Sequence, residues 1–136
     1  MKMRTVELDL PWPPSVNHYK KMAGVVQTHA GKLYQRRVDT DETKIFYQEV
    51  WLKICEAKAT QGVKSFDSKT ISLCVRVDLY PPDKRRRDID NSLKVLLDSL
   101  VRGGLIIDDY LIDMLIVTRK EVFKGGKSVV CIAEMT

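Results

Sequence analysis

The sequence predicts an α+β fold: a mixed β-sheet with two main helices packed against it, in a single domain spanning residues 1–136. Three patterns predict it. Residues 5–10 and 70–80 alternate apolar and polar side chains with the period of two of a half-buried strand. Stretches beginning near Asp41 and near Asp88 repeat apolar residues with the helical period. The element order is β, weak β, α, β, α, β, β, without repeats, low-complexity tracts or an internal linker.

In the first strand Val6, Leu8 and Leu10 face one way and Thr5, Glu7 and Asp9 the other. Pro11-Trp12-Pro13-Pro14 ends it, because proline removes ladder donors and holds the preceding residue extended. The Pro11 to Pro14 spacing matches a PxxP ligand, but a strand feeding straight into it marks a rigid exit. Residues 20–39 are basic, with Gly24 and Gly31 bracketing Val25-Val26-Gln27-Thr28, and read as a short hairpin or loop. A helix starts near Asp41, capped by Thr40 or Asp41, with Phe46, Val50 and Ile54 as its apolar stripe and Gly62 beyond its end.

The clearest strand covers residues 70–80, with Ile71, Leu73, Val75, Val77 and Leu79 on one face. Pro81-Pro82 stops it. A second helix is expected over residues 88–102, with Ile89, Leu93, Leu96, Leu97 and Leu100 along one side and Gly103-Gly104 as its stop. Residues 114–123 and 128–135 read as two strands joined by a Lys124-Gly125-Gly126-Lys127 hairpin turn.

Composition excludes several classes. The chain has 136 residues, 44% apolar and 30% charged, which suits one folded domain rather than a disordered chain. No run approaches the ~20 apolar residues of a membrane helix, and Met1-Lys2-Met3-Arg4 leads directly into a strand, so a cytoplasmic protein is expected. Cys55, Cys74 and Cys131 are odd in number and lack CxxC spacing, which fits reduced core residues rather than a disulfide scaffold or zinc site. The net charge of +5 is compatible with a polyanionic partner without requiring one.

The chemistry concentrates in Lys84-Arg85-Arg86-Arg87-Asp88-Ile89-Asp90-Asn91 and in the doublet Asp108-Asp109 behind Gly103-Gly104. Taken singly, each has an ordinary explanation. Asp88 and Asp90 suit a helix start, Asp90 and Lys94 an i, i+4 ion pair, the cations a solvated loop and the doublet a turn. An EF-hand is excluded, since Leu93 and Ser99 stand where that loop needs Gly and Glu. An RRM-like sheet lacks its stacking aromatics. Together they favour a metal-dependent phosphodiester hydrolase acting on nucleic acid. Clustered carboxylates tolerate a phosphate backbone when a hard divalent cation lies between them. Lys84, Arg85, Arg86 and Arg87 would hold flanking phosphates, and Lys94 would stabilise transition-state charge. The rival is a nucleic-acid-binding module without catalysis.

At these residues the chain resembles the RusA Holliday-junction resolvases, small nucleases of bacteria and their phages. Leu10-Pro11-Trp12-Pro13-Pro14-Ser15-Val16-Asn17 is similar to the family's N-terminal signature. Pro82 to Asn91, continuing through Lys94, Asp98, Gly104 and Asp108-Asp109, is similar to its catalytic block, and Lys124-Gly125-Gly126 to its last hairpin. Residues 20–70 carry no such match. The resemblance implies that Asp88, Asp90 and Asp109 bind Mg²⁺, with Mn²⁺ able to substitute. It also implies that Lys94 assists catalysis and that a homodimer cuts four-way DNA junctions symmetrically, a two-fold enzyme suiting a two-fold substrate. A nuclease for flaps or other branched DNA is the neighbouring alternative.

Overall fold

In the computed structural model, which describes residues 4–135, strand β1 (Thr5–Pro11) buries Val6, Leu8 and Leu10 and exposes Thr5, Glu7 and Asp9. Successive strand side chains point to opposite faces, so this alternation alone fixes which face meets the core. Met1 to Met3, expected to lead into the strand, and Thr136 lie outside the described residues. Two strands, β2 (Lys20–Gln27) and β3 (Leu33–Asp39), form a separate antiparallel ribbon where a hairpin or loop was expected.

Helix α1 (Asp41–Gln61) starts at Thr40, whose Oγ1 accepts the Thr43 amide at 3.3 Å, a cap that typically contributes ~1 kcal/mol. It ends at Gly62, whose φ of 67° suits glycine. Phe46, Val50, Ile54 and Ala57 are buried, and burying each of the large ones contributes roughly 1.5–3 kcal/mol.

Strand β4 (Ser72–Tyr80) is the middle of the core, with Leu73, Val75, Val77 and Leu79 buried. Helix α2 (Leu93–Arg102) follows, then β5 (Ile112–Arg119) and β6 (Lys127–Met135). The main sheet has the order β1-β6-β4-β5. β6 is antiparallel to both neighbours, and β5 is parallel to β4.

Four expectations need correction. β5 and β6 are not a hairpin, because β4 lies between them. The Gly125-Gly126 turn is real, but it serves a crossover from the sheet edge to its interior. β5 also begins at Ile112 and stops at Arg119, earlier than the expected 114–123. Helix α2 starts at Leu93 rather than Asp88, since residues 88–92 form successive turns closed by Asn91 N to Asp88 O and Leu93 N to Asp90 O, both 3.2 Å. Its buried face therefore comprises Val95, Leu96, Ser99 and Leu100, and Ile89 stays exposed. Lastly, the cysteines are free as expected, but Cys55 is exposed and Cys74 and Cys131 only half-buried, so none is a core residue. Among the described residues no helix is long and apolar enough to cross a membrane.

Gly126 locks the sheet crossover to the proline-rich segment. Its φ is 73°, and a Cβ there would lie 2.8 Å from Trp12 Cβ and 3.2 Å from Pro82 Cδ. Gly126→Ala should therefore destabilise the fold by ~1–3 kcal/mol. Urea denaturation measures this; an unchanged midpoint would show that the Trp12 packing yields without cost.

Candidate catalytic and nucleic-acid site

The turn carrying Asp88 and Asp90 is stapled to the N-terminal segment rather than being the first turn of a helix. Val16 N donates to Asn91 O at 2.7 Å, and the buried Ser92 hydroxyl donates to Pro13 O at 3.4 Å. Through these bonds the segment after β1 and the Asp88–Asp90 turn fix each other's backbone. Both Asp88 and Asp90 are exposed. Lys94 does not pair with Asp90. Because α2 begins only at Leu93, its i, i+4 partner lies downstream, and the ammonium is 3.2 Å from the Asp98 carboxylate.

The doublet returns to this helix. After Gly103-Gly104, Leu105 and Ile106 are buried, and Phe66 bonds on either side of Ile106: its N donates to Leu105 O at 2.8 Å and its O accepts from Ile107 N at 3.3 Å. The two carboxylates then take different roles. Asp108 Oδ1 accepts the Tyr110 amide at 3.0 Å, capping a single 3₁₀ turn (Asp109–Leu111). Asp109 is left facing the charges of α2. Burial, then Asp108 and Asp98, push its carboxyl above the ordinary carboxylate value, and Lys94 opposes them. Conversely, Asp98 first and Asp109 further down hold the Lys94 ammonium more firmly protonated. The structure thus pairs Lys94 with Asp98 and leaves Asp109 within electrostatic reach of both, without a direct bond to either. Asp88 and Asp90 stand at the approach to the same helix.

Among the described residues, no three His, Cys, Asp or Glu side chains are grouped as a ready metal cage. The donor chemistry nevertheless fits Mg²⁺: all candidates are carboxylate oxygens, and Mg²⁺ usually keeps several waters and takes one or two carboxylates plus substrate phosphate.

The four cations also divide. Lys84, Arg85 and Arg86 are exposed, whereas Arg87 is partly buried, 2.8 Å from Asp83 and with its guanidinium 5.9 Å from the centre of the Trp12 ring. Arg119 Nη2 donates to Arg87 O at 2.6 Å, tying the end of β5 to this loop. A cleft of about 540 Å³ results, with Lys84, Arg85 and Arg86 on one wall, Arg119 and Lys120 on another, and Asp88 also lining it. The sequence reading missed Arg119, Lys120 and the role of Asp98. The first two close a stretch read only as strand, and nothing local reveals that β5 lies beside β4. Asp98 was legible through its i, i+4 spacing to Lys94.

Fold and site define a small α+β protein in which Asp88 lines a cationic cleft, while Lys94, Asp98 and Asp109 lie outside that cleft's lining, along α2 and at the turn that precedes β5. The chain belongs to the RusA family: the endodeoxyribonuclease RusA family model matches residues 10–132. It is 30% identical over 135 residues to the crossover junction endodeoxyribonuclease of Enterobacteria phage 82. It is 31% identical over 134 residues to the RusA protein of Escherichia coli strain K12, and 32% over 135 residues to that of Shigella sonnei strain Ss046. Each alignment covers 98% of both chains.

Arg87 lowers the Asp83 carboxyl to about 2, first through its side-chain hydrogen bond, with help from the Arg85 amide. Such a depressed carboxyl favours the folded loop above its ordinary value of 3.8, and that contribution fades as pH falls towards 2. In Arg87→Met the Asp83 midpoint, followed by carboxyl NMR, should climb back towards 3.8. A midpoint still near 2 would remove Arg87 as the loop's anchor.

Proposed function

We propose that this protein is a Mg²⁺-dependent, structure-specific endodeoxyribonuclease of the cytoplasm that resolves four-way DNA junctions by paired, symmetric incision. It acts as a homodimer in which residues 1–136 form the single catalytic domain. The observation that supports the reading is the Lys94–Asp98 pair on α2, with Asp109 within electrostatic reach of both, on the helix that follows the turn bearing Asp88 and Asp90. Relationship to crossover junction endodeoxyribonucleases along 98% of the chain supports the substrate class.

In this mechanism Asp88, Asp90 and Asp109 would hold Mg²⁺, for which Mn²⁺ would substitute. When bound, the ion polarises the scissile phosphate and makes a neighbouring water more acidic. Lys94 is positioned by Asp98 and kept charged, so its ammonium meets negative charge as it develops on the phosphate oxygens. Lys84, Arg85, Arg86, Arg119 and Lys120 bind flanking phosphates and displace counterions. Arg87, already bonded to Asp83, holds the loop instead. Two protomers related by a two-fold axis place equivalent sites on the two opposed strands of a junction.

Asp88→Asn, Asp90→Asn and Asp109→Asn should each abolish cutting of a labelled four-way junction in Mg²⁺, with binding retained or tightened as negative charge beside DNA is removed. Near-normal cutting at low Mg²⁺ by any variant removes that residue from the site. Wild-type binding without cutting, equal in Mg²⁺ and EDTA, would favour a non-catalytic nucleic-acid module. A preference for flaps would favour another branched substrate.

Lys94→Ala distinguishes a catalytic ammonium from a surface ion pair. An exposed pair with Asp98 stabilises a helix by only ~0.3–0.5 kcal/mol. Loss of a transition-state contact costs ~10²–10³ in rate. A single-turnover assay at saturating protein should show the larger loss with little change in junction affinity; a rate within a few-fold of wild type sinks the catalytic role.

A further inference from the structure

The β2–β3 ribbon is the part of the molecule that the site does not explain. An isolated two-stranded hairpin is marginal in water, and this one exposes large apolar side chains on both faces. Met22, Val25 and Leu33 are each more than 60% exposed, and Tyr34 is half exposed on the opposite face. Residues 20–39 carry five cations (Lys20, Lys21, Lys32, Arg36 and Arg37) against one acid, Asp39. Asp39 is already paired with Arg102 at 3.0 Å.

The ribbon is also rooted at the site. Immediately before β2, Val16 N is bonded to Asn91 O in the carboxylate turn. Where β3 ends, the Asp39–Arg102 pair fixes the chain to the end of α2. Thr40 closes the base, its N and Oγ1 donating to Tyr19 O and His18 O, both at 3.1 Å. The register shift between Met22 and Val25, with Gly24 at φ 108°, bends the ribbon as bulges do.

We infer that this ribbon is a DNA-binding arm, engaging the duplex or branch beside the strand held at the carboxylate turn. The inference rests on the nuclease reading for its substrate. A two-stranded ribbon fits the major groove, and exposed apolar side chains between cations suit a step or branch where bases are already unstacked. A second copy of this chain is the poorer occupant, because a two-fold contact through the arm brings its own cations against each other.

The test compares wild type with a Lys21→Ala/Lys32→Ala/Arg36→Ala/Arg37→Ala variant and with Leu33→Ser/Tyr34→Ser, using a four-way junction and a linear duplex of equal length. The first should bind both DNAs at least tenfold more weakly, with the salt dependence flattened by ~0.9 per lost phosphate contact. The second should lose preference for the junction over the duplex. Arg36→Lys/Arg37→Lys, which keeps the charge, should retain binding, separating recognition from a folding defect. Unchanged affinity and salt slope in the charge-removed variant would overturn the arm. So would a halved mass in sedimentation, because a second copy would then be its occupant. If wild type binds junctions but never cuts, the nuclease reading falls and these binding results still decide the arm.

Discussion

The site depends on β4 being hydrogen-bonded on both sides, antiparallel to β6 and parallel to β5. A parallel neighbour cannot be reached by a tight turn, so the chain must leave the end of β4, cross the sheet and return to start again beside it. Helix α2 is that crossover. Its entrance carries the basic loop and the Asp88–Asp90 turn; its exit carries Asp108 and Asp109; Lys94 and Asp98 lie along it. Two acidic groups about twenty residues apart are thus joined through a single rigid element, and buried Val95, Leu96 and Leu100 fix that element to the core.

Charge at such a site is useful only where it is not already neutralised. The structure separates anchored from available charge by bonding one member of each cluster to the scaffold. Asp108 is used as a cap, and the Asp109 carboxyl stays exposed. Arg87 is bonded to Asp83 at 2.8 Å and faces Trp12; Arg85, 3.8 Å from the same carboxylate, stays exposed, as do Lys84 and Arg86. Lys94 is the intermediate case: paired with Asp98 on an exposed surface, it keeps both its charge and its orientation. Exposed pairs of this kind stabilise little, so on the proposed mechanism Asp98 serves to place an ammonium rather than to hold a helix.

Local signals were legible in the sequence and non-local ones were not. The period-two runs of β1 and β4, the Thr40 cap and the Phe46, Val50, Ile54 stripe depend on neighbours a few residues away, and the structure has them as read. The position of β6 depends on which strand it pairs with, and a Gly-Gly turn says only that the chain reverses. The start of α2 lies later than the pattern implies because Ile89 continues its apolar period and Asp88 suits a helix start; the Val16 and Pro13 bonds that hold residues 88–92 as turns come from about 75 residues away. Arg119 and Lys120 reach the cleft only because β5 runs parallel to β4. The candidate aspartates and Lys94 were named from the sequence, but Asp98 was not given its role.

Phosphate contacts fix position and carry no information about sequence or branching. A cleft of Lys84, Arg85, Arg86, Arg119 and Lys120 therefore cannot by itself distinguish a junction from a duplex. On the proposed function, discrimination would come from the spacing between the cleft and the β2–β3 arm, which a branched shape can satisfy at once. The bonds that root the β2–β3 ribbon have this consequence. Because Asn91 holds Val16 on one side of the ribbon and Arg102 holds Asp39 on the other, the ribbon's base cannot shift without moving the carboxylate turn or the end of α2. The ribbon's base is thereby tied to the segment that runs from Asn91 to Arg102, which holds α2.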